Sequence, residues 1–246
     1  MDFLPVLGGL SPKGGLPSAP GWGSLVPSTP SPNLALTQLI PTKAVCVARN
    51  WRGHIRELGN VEPSEPTFFH KPLSAFRPLS EPIHLPHWSS EVHHEVELAL
   101  RIDQRLCGAG LEQVAQAVGA VALALDLTAR DVQNRLKAQG LPWEKAKSFD
   151  GSLPLGPWIP ITEVGPLEEL ELRLEVNERL RQQGKLALMI HSPFALVAEA
   201  SRYFTLEPGD VVLTGTPEGV ASLRAGDKLV LTLSGHWRQE TRVAHD

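Results

Sequence analysis

The pattern of apolar and polar positions along this chain favours strands over long helices. Short apolar or alternating runs predict strands at residues 44–48, 91–102, 120–127, 170–176, 180–186, 210–215 and 228–233. Helical spacing of apolar residues predicts helices at residues 50–58, 111–119, 128–139 and 193–204. Because strands predominate and the helices lie between them, we expect an α+β, strand-rich fold rather than a doubly wound parallel sheet.

The helix that follows residue 127 has clear signals at both ends. Thr128 and Asp131 have the spacing of a capping box, in which each side chain accepts a backbone N–H near the start of the helix. Val132 and Leu136 would face the core, and Gly140 would end the helix. We therefore assign Asp131 to helix capping and not to chemistry.

The first 40 residues differ in composition from the rest of the chain. They are rich in Gly, Pro and Ser and poor in charged residues. Such a composition predicts turns and extended segments rather than a packed layer. We interpret residues 1–40 as an irregular N-terminal arm and residues 41–246 as the folded domain that carries the chemistry.

Composition also narrows the class of function. Hydrophobic residues make up 42% of the chain, enough for a core, and the formal net charge is -4. The acidic balance and the absence of a Lys/Arg-rich run argue against a nucleic-acid binder and against an anionic membrane surface. Two cysteines, Cys46 and Cys107, cannot form a disulfide framework. No targeting or membrane-spanning segment is recognisable, so we expect a cytoplasmic protein.

Two glutamates in the strand predicted at residues 91–102 are candidate metal ligands. Alternate side chains share one face of a strand, so Glu95 and Glu97 would project together. Two buried carboxylates side by side repel each other, and a divalent cation removes that conflict. An all-oxygen set of ligands suits Mg²⁺, Mn²⁺ or Ca²⁺ better than Zn²⁺. A solvated polar face on an amphipathic strand has the same pattern.

Asp126 favours the metal site over that alternative. It stands near the end of the buried run at residues 120–127, directly before the predicted helix. A carboxylate between a buried strand and a helix is a usual position for a ligand. A simple aspartate turn is the alternative, but Thr128 already offers the helix cap.

A histidine and a glutamate upstream form a candidate general base. His54 and Glu57 are three residues apart, so a short helix would bring their side chains together. A carboxylate beside an imidazole orients the ring and raises its basicity. An ordinary exposed pair is the alternative.

Further polar residues could contact a substrate. Arg130 and Gln133 share one face of the predicted helix. Lys147 lies in a loop of small and apolar residues, where a lysine near a metal could hold a substrate carboxylate or an oxyanion. Thr216 offers a hydroxyl beside Gly215, which permits a close approach of the backbone. Each of the charged side chains could equally be solvated.

Five stretches, taken in order, resemble the fumarylacetoacetate hydrolase family. They are VCVARNWRGHIREL, HHEVELAL, ALDLTARDVQNRLKAQGLPWEKAKSFDGSLPLGPWIP, LRLEVNERLRQQG and YFTLEPGDVVLTGTPEGV. The resemblance covers residues 43–235. It is strongest to the small single-domain branch of acylpyruvate hydrolases, oxaloacetate decarboxylases or tautomerases, and 2-hydroxyhepta-2,4-diene-1,7-dioate isomerases. It implies a mixed β-roll with peripheral helices, usually assembled as a homodimer.

The resemblance implies a metal and a base. Glu95, Glu97 and Asp126 match the positions of the family's metal ligands, with Mg²⁺ or Mn²⁺ as the cofactor. His54 and Glu57 match a catalytic dyad on a lid that orders when substrate binds.

The resemblance also implies contacts to the substrate. Gln133 and Lys147 match residues that contact the substrate or the activated water, and Thr216 matches a contact to the substrate carboxylate. Arg130 matches a further family position, and we assign it to substrate binding on that supporting ground. The hairpin turn Asn177–Glu178 stands where the family usually has Asn-Gly, a more favourable type I′ turn.

Three reactions on a small 2-oxo acid are compatible with such a site. Hydrolysis of an acylpyruvate and decarboxylation of oxaloacetate both pass through the enolate of pyruvate, whereas an isomerase or tautomerase moves a proton at C3. Because His54 and Glu57 could activate water, we expect hydrolysis or decarboxylation of a C–C bond. The alternative is an isomerase or tautomerase, and the second alternative is a metal-binding protein without turnover.

Overall fold

A computed structural model describes residues 39–245 of the chain. The arm inferred for residues 1–40 lies outside the described residues except for its last two positions. The α-helices are α1 (Arg52–Glu57), α2 (Leu111–Ala117), α3 (Arg130–Ala138), α4 (Glu144–Lys147) and α5 (Pro193–Tyr203). Within residues 39–245, no helix has the length and apolar character needed to cross a membrane.

Strands account for more elements than helices in the described part of the chain. They are β1 (Lys43–Ala48), β2 (Thr67–Pro72), β3 (Phe76–Pro78), β4 (Val92–His94), β5 (Val96–Ile102), β6 (Val118–Leu125), β7 (Thr128–Ala129), β8 (Leu153–Leu155), β9 (Ile159–Pro160), β10 (Glu171–Val176), β11 (Arg179–Lys185), β12 (Val211–Leu213), β13 (Ala221–Ser222), β14 (Lys228–Leu233) and β15 (Trp237–Arg242). The α+β, strand-rich prediction is confirmed.

A mixed sheet forms the centre of the fold. Its strand order is β2-β1-β12-β5-β6-β8-β3, and β9 pairs with β6. Strand β1 runs parallel to β12, and β3 runs parallel to β8, whereas the other pairs are antiparallel. Every residue of β5 is buried, which explains its nearly continuous apolar sequence.

Two smaller sheets complete the fold. One has the order β11-β10-β14-β15, and the other has the order β13-β4-β7. The predicted hairpin is present as β10 and β11. Its turn residues Asn177 and Glu178 have φ values of 51° and 63°, as a type I′ turn requires of both central residues.

The strand predicted at residues 91–102 is interrupted at Glu95. Strand β4 pairs with β7 and β13, whereas β5 pairs with β6 and β12. The chain therefore passes from one sheet to another at Glu95. Alternation of side chains along a single strand does not account for the orientation of Glu95 and Glu97.

The predicted capping box at Thr128 and Asp131 is wrong. Thr128 belongs to β7, its hydroxyl donates to the carbonyl of Asp126 at 3.1 Å, and α3 begins at Arg130. Asp131 accepts hydrogen bonds from Oγ of Ser89 at 2.6 Å and from the backbone N–H of Ser90 at 3.1 Å. Pairing of β7 with β4 keeps Thr128 extended, so tertiary contacts override the local helix signal. The stop at Gly140 is present, with φ of 64°.

Candidate metal centre and active site

Three carboxylates converge where β5 begins and β6 ends. Antiparallel pairing places Val96 opposite Leu125, and the backbone N–H of Asp126 donates to the carbonyl of Glu95 at 2.8 Å. Glu95, Glu97 and Asp126 each offer an oxygen, and these atoms lie within 4.8 Å of one another. The register of two central strands, rather than alternation along one strand, therefore assembles the acidic triad.

The acidic triad fits a divalent cation. All three side chains are buried, with relative exposures of 4%, 1% and 1%. Oδ1 of Asp126 has an ion pair with Nζ of Lys71 at 2.9 Å but no hydrogen-bond partner by geometry among the described residues. Burial, followed by repulsion from Asp126, raises the pKa of Glu97 well above its ordinary value. A bound cation with oxygen ligands would relieve the repulsion between the carboxylates.

Two cations hold the carboxylate of Glu95 in place. Nζ of Lys147 donates to Oε2 of Glu95 at 2.7 Å and to Oδ2 of Asp126 at 2.6 Å. The guanidinium of Arg130 forms an ion pair with Oε1 of Glu95. Burial acts to raise the pKa of Glu95, but Lys147 and then Arg130 outweigh it and hold that pKa well below its usual range.

Lys147 is itself held in its charged form. Burial acts to lower the pKa of Lys147, but Asp126 and Glu95 outweigh it, and the pKa is raised. A buried, permanently charged ammonium can stabilise negative charge on a substrate. It is poorly suited to accept a proton, because its neutral form is rare near neutral pH.

Lys71 is a second buried lysine of the site, and the sequence did not indicate it. Its Nζ lies 2.9 Å from Oδ1 of Asp126 and donates to Oγ of Ser152 at 2.9 Å and to the carbonyl of Lys147. Its relative exposure is 0%. Lys71 thus ties Asp126 to the segment that carries Lys147.

Helix α1 places His54 and Glu57 at the same site. Nδ1 of His54 lies 3.2 Å from Oε2 of Glu57, and Oε1 of Glu57 accepts the backbone N–H of Gly219 at 2.9 Å. His54 is buried and lines a cavity of about 40 Å³ together with Glu95 and Glu97. His54 and Leu58 both line this cavity, so α1 and the residue that follows it lie against the acidic triad. Movement of this lid remains a prediction.

The turn after β12 connects α1 to the acidic triad. Gly215 has φ of 87°, which suits glycine, and its backbone N–H donates to Oε2 of Glu97 at 2.6 Å. The indole N–H of Trp51 donates to the carbonyl of Gly215 at 3.0 Å, and the side-chain amide of Asn50 donates to the carbonyl of Thr214 at 2.9 Å. The residues directly before α1 are therefore anchored to the turn that contacts Glu97.

The structure also brings Thr216 and Gln133 to this cavity. The hydroxyl of Thr216 donates to the carbonyl of Val96 at 2.8 Å and accepts from Nε2 of Gln182 at 2.7 Å. Oε1 of Gln133 accepts from Arg130 at 2.5 Å. All nine residues singled out from the sequence thus lie at one site, and their roles in catalysis remain predictions.

The cavity lining also includes residues that sequence reasoning did not select, among them Arg49, Lys137 and Trp143. Nζ of Lys137 lies 5.5 Å from the ring centroid of Trp143. One signal could have identified Lys137, since it follows Gln133 by four residues and so shares its face of α3.

Comparison with known proteins gives a consistent result. Residues 43–244 match the family described as "Fumarylacetoacetate (FAA) hydrolase C-terminal". The chain is 48% identical over 203 residues to "Oxaloacetate tautomerase YcgM" of Escherichia coli K12, which covers 82% of this chain and 93% of that relative. It is 42% identical over 192 residues to "Oxaloacetate tautomerase FAHD1, mitochondrial" of Homo sapiens, which covers 78% of this chain and 86% of that relative.

A solved structure agrees with these matches. It is the fumarylpyruvate hydrolase of Pseudomonas aeruginosa in complex with Mn²⁺ and pyruvate. The two chains superpose with a TM-score of 0.80 at 35% identity, over 85% of this chain and 91% of that one. The mixed sheets described above are therefore those of a known enzyme fold.

Proposed function

The chain belongs to the fumarylacetoacetate hydrolase family, and from that premise we propose that this enzyme interconverts the enol and keto forms of an oxaloacetate-type 2-oxo acid. The observation that carries the proposal is the 48% identity to an oxaloacetate tautomerase over 93% of that relative. The sequence led us to expect C–C cleavage first, and the relatives support the tautomerase alternative better. Their activities also favour an enzyme over a metal-binding protein without turnover.

We assign the acidic triad to the metal, with Mg²⁺ or Mn²⁺ as the ion. The burial of the triad, the convergence of its oxygens within 4.8 Å and the raised pKa of Glu97 support this assignment. When bound, a divalent cation would act as a Lewis acid toward the carboxylate and keto oxygen of a 2-oxo acid.

We assign the transfer of the C3 proton to His54. Its Nδ1 faces Glu57, which fixes the orientation of the ring and leaves Nε2 to take and return a proton. The buried ammonium of Lys147 would stabilise the negative charge that develops on the substrate oxygens as the proton leaves. Gln133 and Thr216 would orient the substrate, and Arg130 would keep Glu95 in place.

A second candidate function is hydrolysis of an acylpyruvate. The likeness to the fumarylpyruvate hydrolase favours it, and so does the dyad formed by His54 and Glu57. In this reaction the same imidazole would take a proton from water instead of from C3. The water would need space in the cavity beside the substrate.

The test is a substrate panel with controlled metal content. Protein treated with EDTA is assayed with enol-oxaloacetate, keto-oxaloacetate and acetylpyruvate, before and after addition of Mg²⁺ or Mn²⁺. We expect the enzyme to accelerate the decay of the enol absorbance. EDTA should abolish this acceleration, and either metal should restore it. Glu97→Gln should remove this activity, whereas Glu168→Gln, at an exposed position, should retain it. Faster turnover of acetylpyruvate would support the hydrolase, and no acceleration with either metal would contradict both functions.

We further infer that residues 41–246 form the catalytic domain and that the enzyme is a cytoplasmic homodimer. The extent of the family match, which begins at residue 43, supports the domain boundary. The dimer rests on the family resemblance. A monomeric mass by light scattering at micromolar concentration would contradict it.

A further inference from the structure

Two cations at the cavity lack the carboxylate partners that the other buried cations have. Lys71, Lys147 and Arg130 each contact Asp126 or Glu95. Lys137 and Arg49 line the same cavity, yet the side chain of neither forms a hydrogen bond or an ion pair with another residue between positions 39 and 245. Both are half-buried, so solvent compensates their charge only in part.

The position of Lys137 follows from the spacing along α3. Arg130, Gln133 and Lys137 are spaced i, i+3, i+7, which places them on one stripe of the helix. With a rise of about 1.5 Å per residue, Lys137 lies about 6 Å beyond Gln133 along the helix axis. Trp143 packs beside its ammonium. The stripe therefore runs from Arg130, which holds Glu95, to a second cation that lines the same cavity.

Arg49 reaches the cavity from the segment between β1 and α1. Its φ is 61°, a left-handed conformation that costs a residue with a Cβ of the order of 1 kcal/mol. Such strain persists where the surroundings impose it, and it is frequent at ligand-binding sites. Here it directs the chain into the lid that carries His54.

The surroundings of Lys137 are short of negative charge. Burial, followed by the charges of Arg130 and Arg49, lowers the pKa of Lys137 to about 8. Glu95 acts in the opposite direction, but it is already paired with Lys147 and Arg130. An anion bound between Lys137 and Arg49 would therefore be stabilised by charge-assisted hydrogen bonds.

A 2-oxo acid with one carboxylate would leave Lys137 and Arg49 without a bound anion. Its carboxylate and keto oxygen would be directed to the acidic triad and its cation. A 2-oxo acid with two carboxylates presents its second carboxylate at the opposite end of a short carbon chain. The spacing of the stripe on α3 suits that arrangement, because the long side chain of Lys137 can reach back toward Gln133.

We propose that Lys137, together with Arg49, binds the second carboxylate of a 2-oxo dicarboxylic acid and makes the site selective for dicarboxylates over monocarboxylates. The inference rests on the proposed function, since it assumes that the first carboxylate lies at the acidic triad. It adds two specificity-determining residues and restricts the substrate class.

The test compares two ligands that differ in the second carboxylate. Dissociation constants of 3,3-difluoro-oxaloacetate, which has no C3 proton, and of pyruvate are measured by calorimetry on the Mn²⁺-loaded protein. The variants are Lys137→Met, Lys137→Arg and Arg49→Met. Arg135→Met is the matched control, because Arg135 is an exposed cation on the same helix that does not line the cavity. Thermal unfolding of each variant verifies that it folds.

We expect Lys137→Met and Arg49→Met each to weaken binding of the dicarboxylate about 10–100-fold, the usual loss for a hydrogen bond to a charged group. Binding of pyruvate should change less than about twofold, a small effect on that scale. Lys137→Arg should retain most of the affinity, and Arg135→Met should retain all of it. If Lys137→Met weakens both ligands equally, or neither, the inference is wrong.

The result is separable from the proposed function. If the wild-type protein does not accelerate tautomerisation of enol-oxaloacetate, the proposed reaction fails even when the selective loss at Lys137 is observed. If the wild-type protein is a tautomerase and its variants show no selective loss, only the assignment of the second carboxylate fails.

Discussion

Nζ of Lys71 lies 2.9 Å from Oδ1 of Asp126, and both side chains are buried. Loss of one partner from a buried ion pair typically costs about 3–5 kcal/mol, because the other charge loses its compensation. We therefore expect Lys71→Met to lower the free energy of unfolding by about that amount in metal-free protein. Mg²⁺ or Mn²⁺ should restore part of the loss, since either ion supplies positive charge at Asp126. Urea unfolding with EDTA and with each metal measures both effects.

The control for this prediction is Lys145→Met. Lys145 is exposed on the same short helix as Lys147, so its removal should change the stability little. Equal stability of Lys71→Met and wild type without metal would show that the pair contributes nothing.

The dyad on α1 should control turnover without affecting the metal. We expect His54→Ala to lower kcat by about 10²–10⁴, the usual cost of removing a positioned general base. The affinity for Mn²⁺ and for oxalate should remain near that of wild type, because His54 is not a ligand. Arg56→Ala, on the exposed side of the same helix, serves as the control. Full turnover of His54→Ala on every substrate would show that another residue acts as the base.

Asp210 should stabilise the protein in a pH-dependent manner. Burial acts to raise its pKa, but its bonds to Lys43 and Thr42 outweigh this, and the pKa is lowered. The unfolded-state pKa of an aspartate is about 3.9, and the folded-state pKa of Asp210 lies below it. Its contribution to the free energy of unfolding is therefore complete at pH values above the unfolded-state pKa. The stabilisation is lost as the pH falls through the folded pKa. We expect Asp210→Asn to cost about 1.5–3 kcal/mol at neutral pH and progressively less below about pH 4.

Urea unfolding at several pH values tests this prediction. Glu168→Gln removes an exposed charge and should show no such dependence. A constant difference between Asp210→Asn and wild type from neutral to acidic pH would contradict the assigned cause.

The β10–β11 turn should be improvable. Glu178 is exposed and has φ of 63°, which costs roughly 1–2 kcal/mol for a residue with a Cβ. We expect Glu178→Gly to raise the free energy of unfolding by about 1 kcal/mol, since Asn-Gly is favourable in this turn. Glu175→Gly, within β10, should lower it, because glycine weakens a strand. Destabilisation by Glu178→Gly would mean that the glutamate has contacts that outweigh its backbone cost.

The N-terminal arm should be dispensable for chemistry. We expect deletion of residues 1–35 to leave metal-dependent turnover largely intact, because the family match begins at residue 43. Turnover and thermal unfolding of the shortened chain are compared with those of the full chain. A folded but inactive product would show that the arm shapes the site.

The elements of the fold were largely predictable, because their signals are local. The apolar run that became β1 and the hairpin of β10 and β11 are set by neighbouring residues. The division of a long strand at Glu95 was not predictable, since it depends on which strands lie beside each half. Thr128 was misassigned for the same reason, because strand pairing with β4 overrides its helix signal.

The site was predictable where chemistry leaves a pattern in the sequence. Paired acidic residues and the spacing of His54 and Glu57 are such patterns. Lys71 leaves none, since a lysine in a proline-rich stretch of polar and aromatic residues has the same appearance whether buried or exposed. Only the pairing of β2 with β1, which places Lys71 opposite Ala44, carries it into the interior.

The parallel pairing of β1 with β12 has a consequence for biosynthesis. Ala44 lies beside Val211 in the main sheet. Strand β1 is therefore synthesised early but cannot pair with β12 until translation is nearly complete. Contacts between residues so distant in sequence slow folding, because the entropic cost of closing a long loop must be met before the contacts stabilise the chain. During synthesis the open edge of β1 is exposed to other nascent chains, and apolar edges of this kind promote aggregation. We expect a chaperone that shields the emerging chain to increase the yield of active enzyme more than one that acts after release.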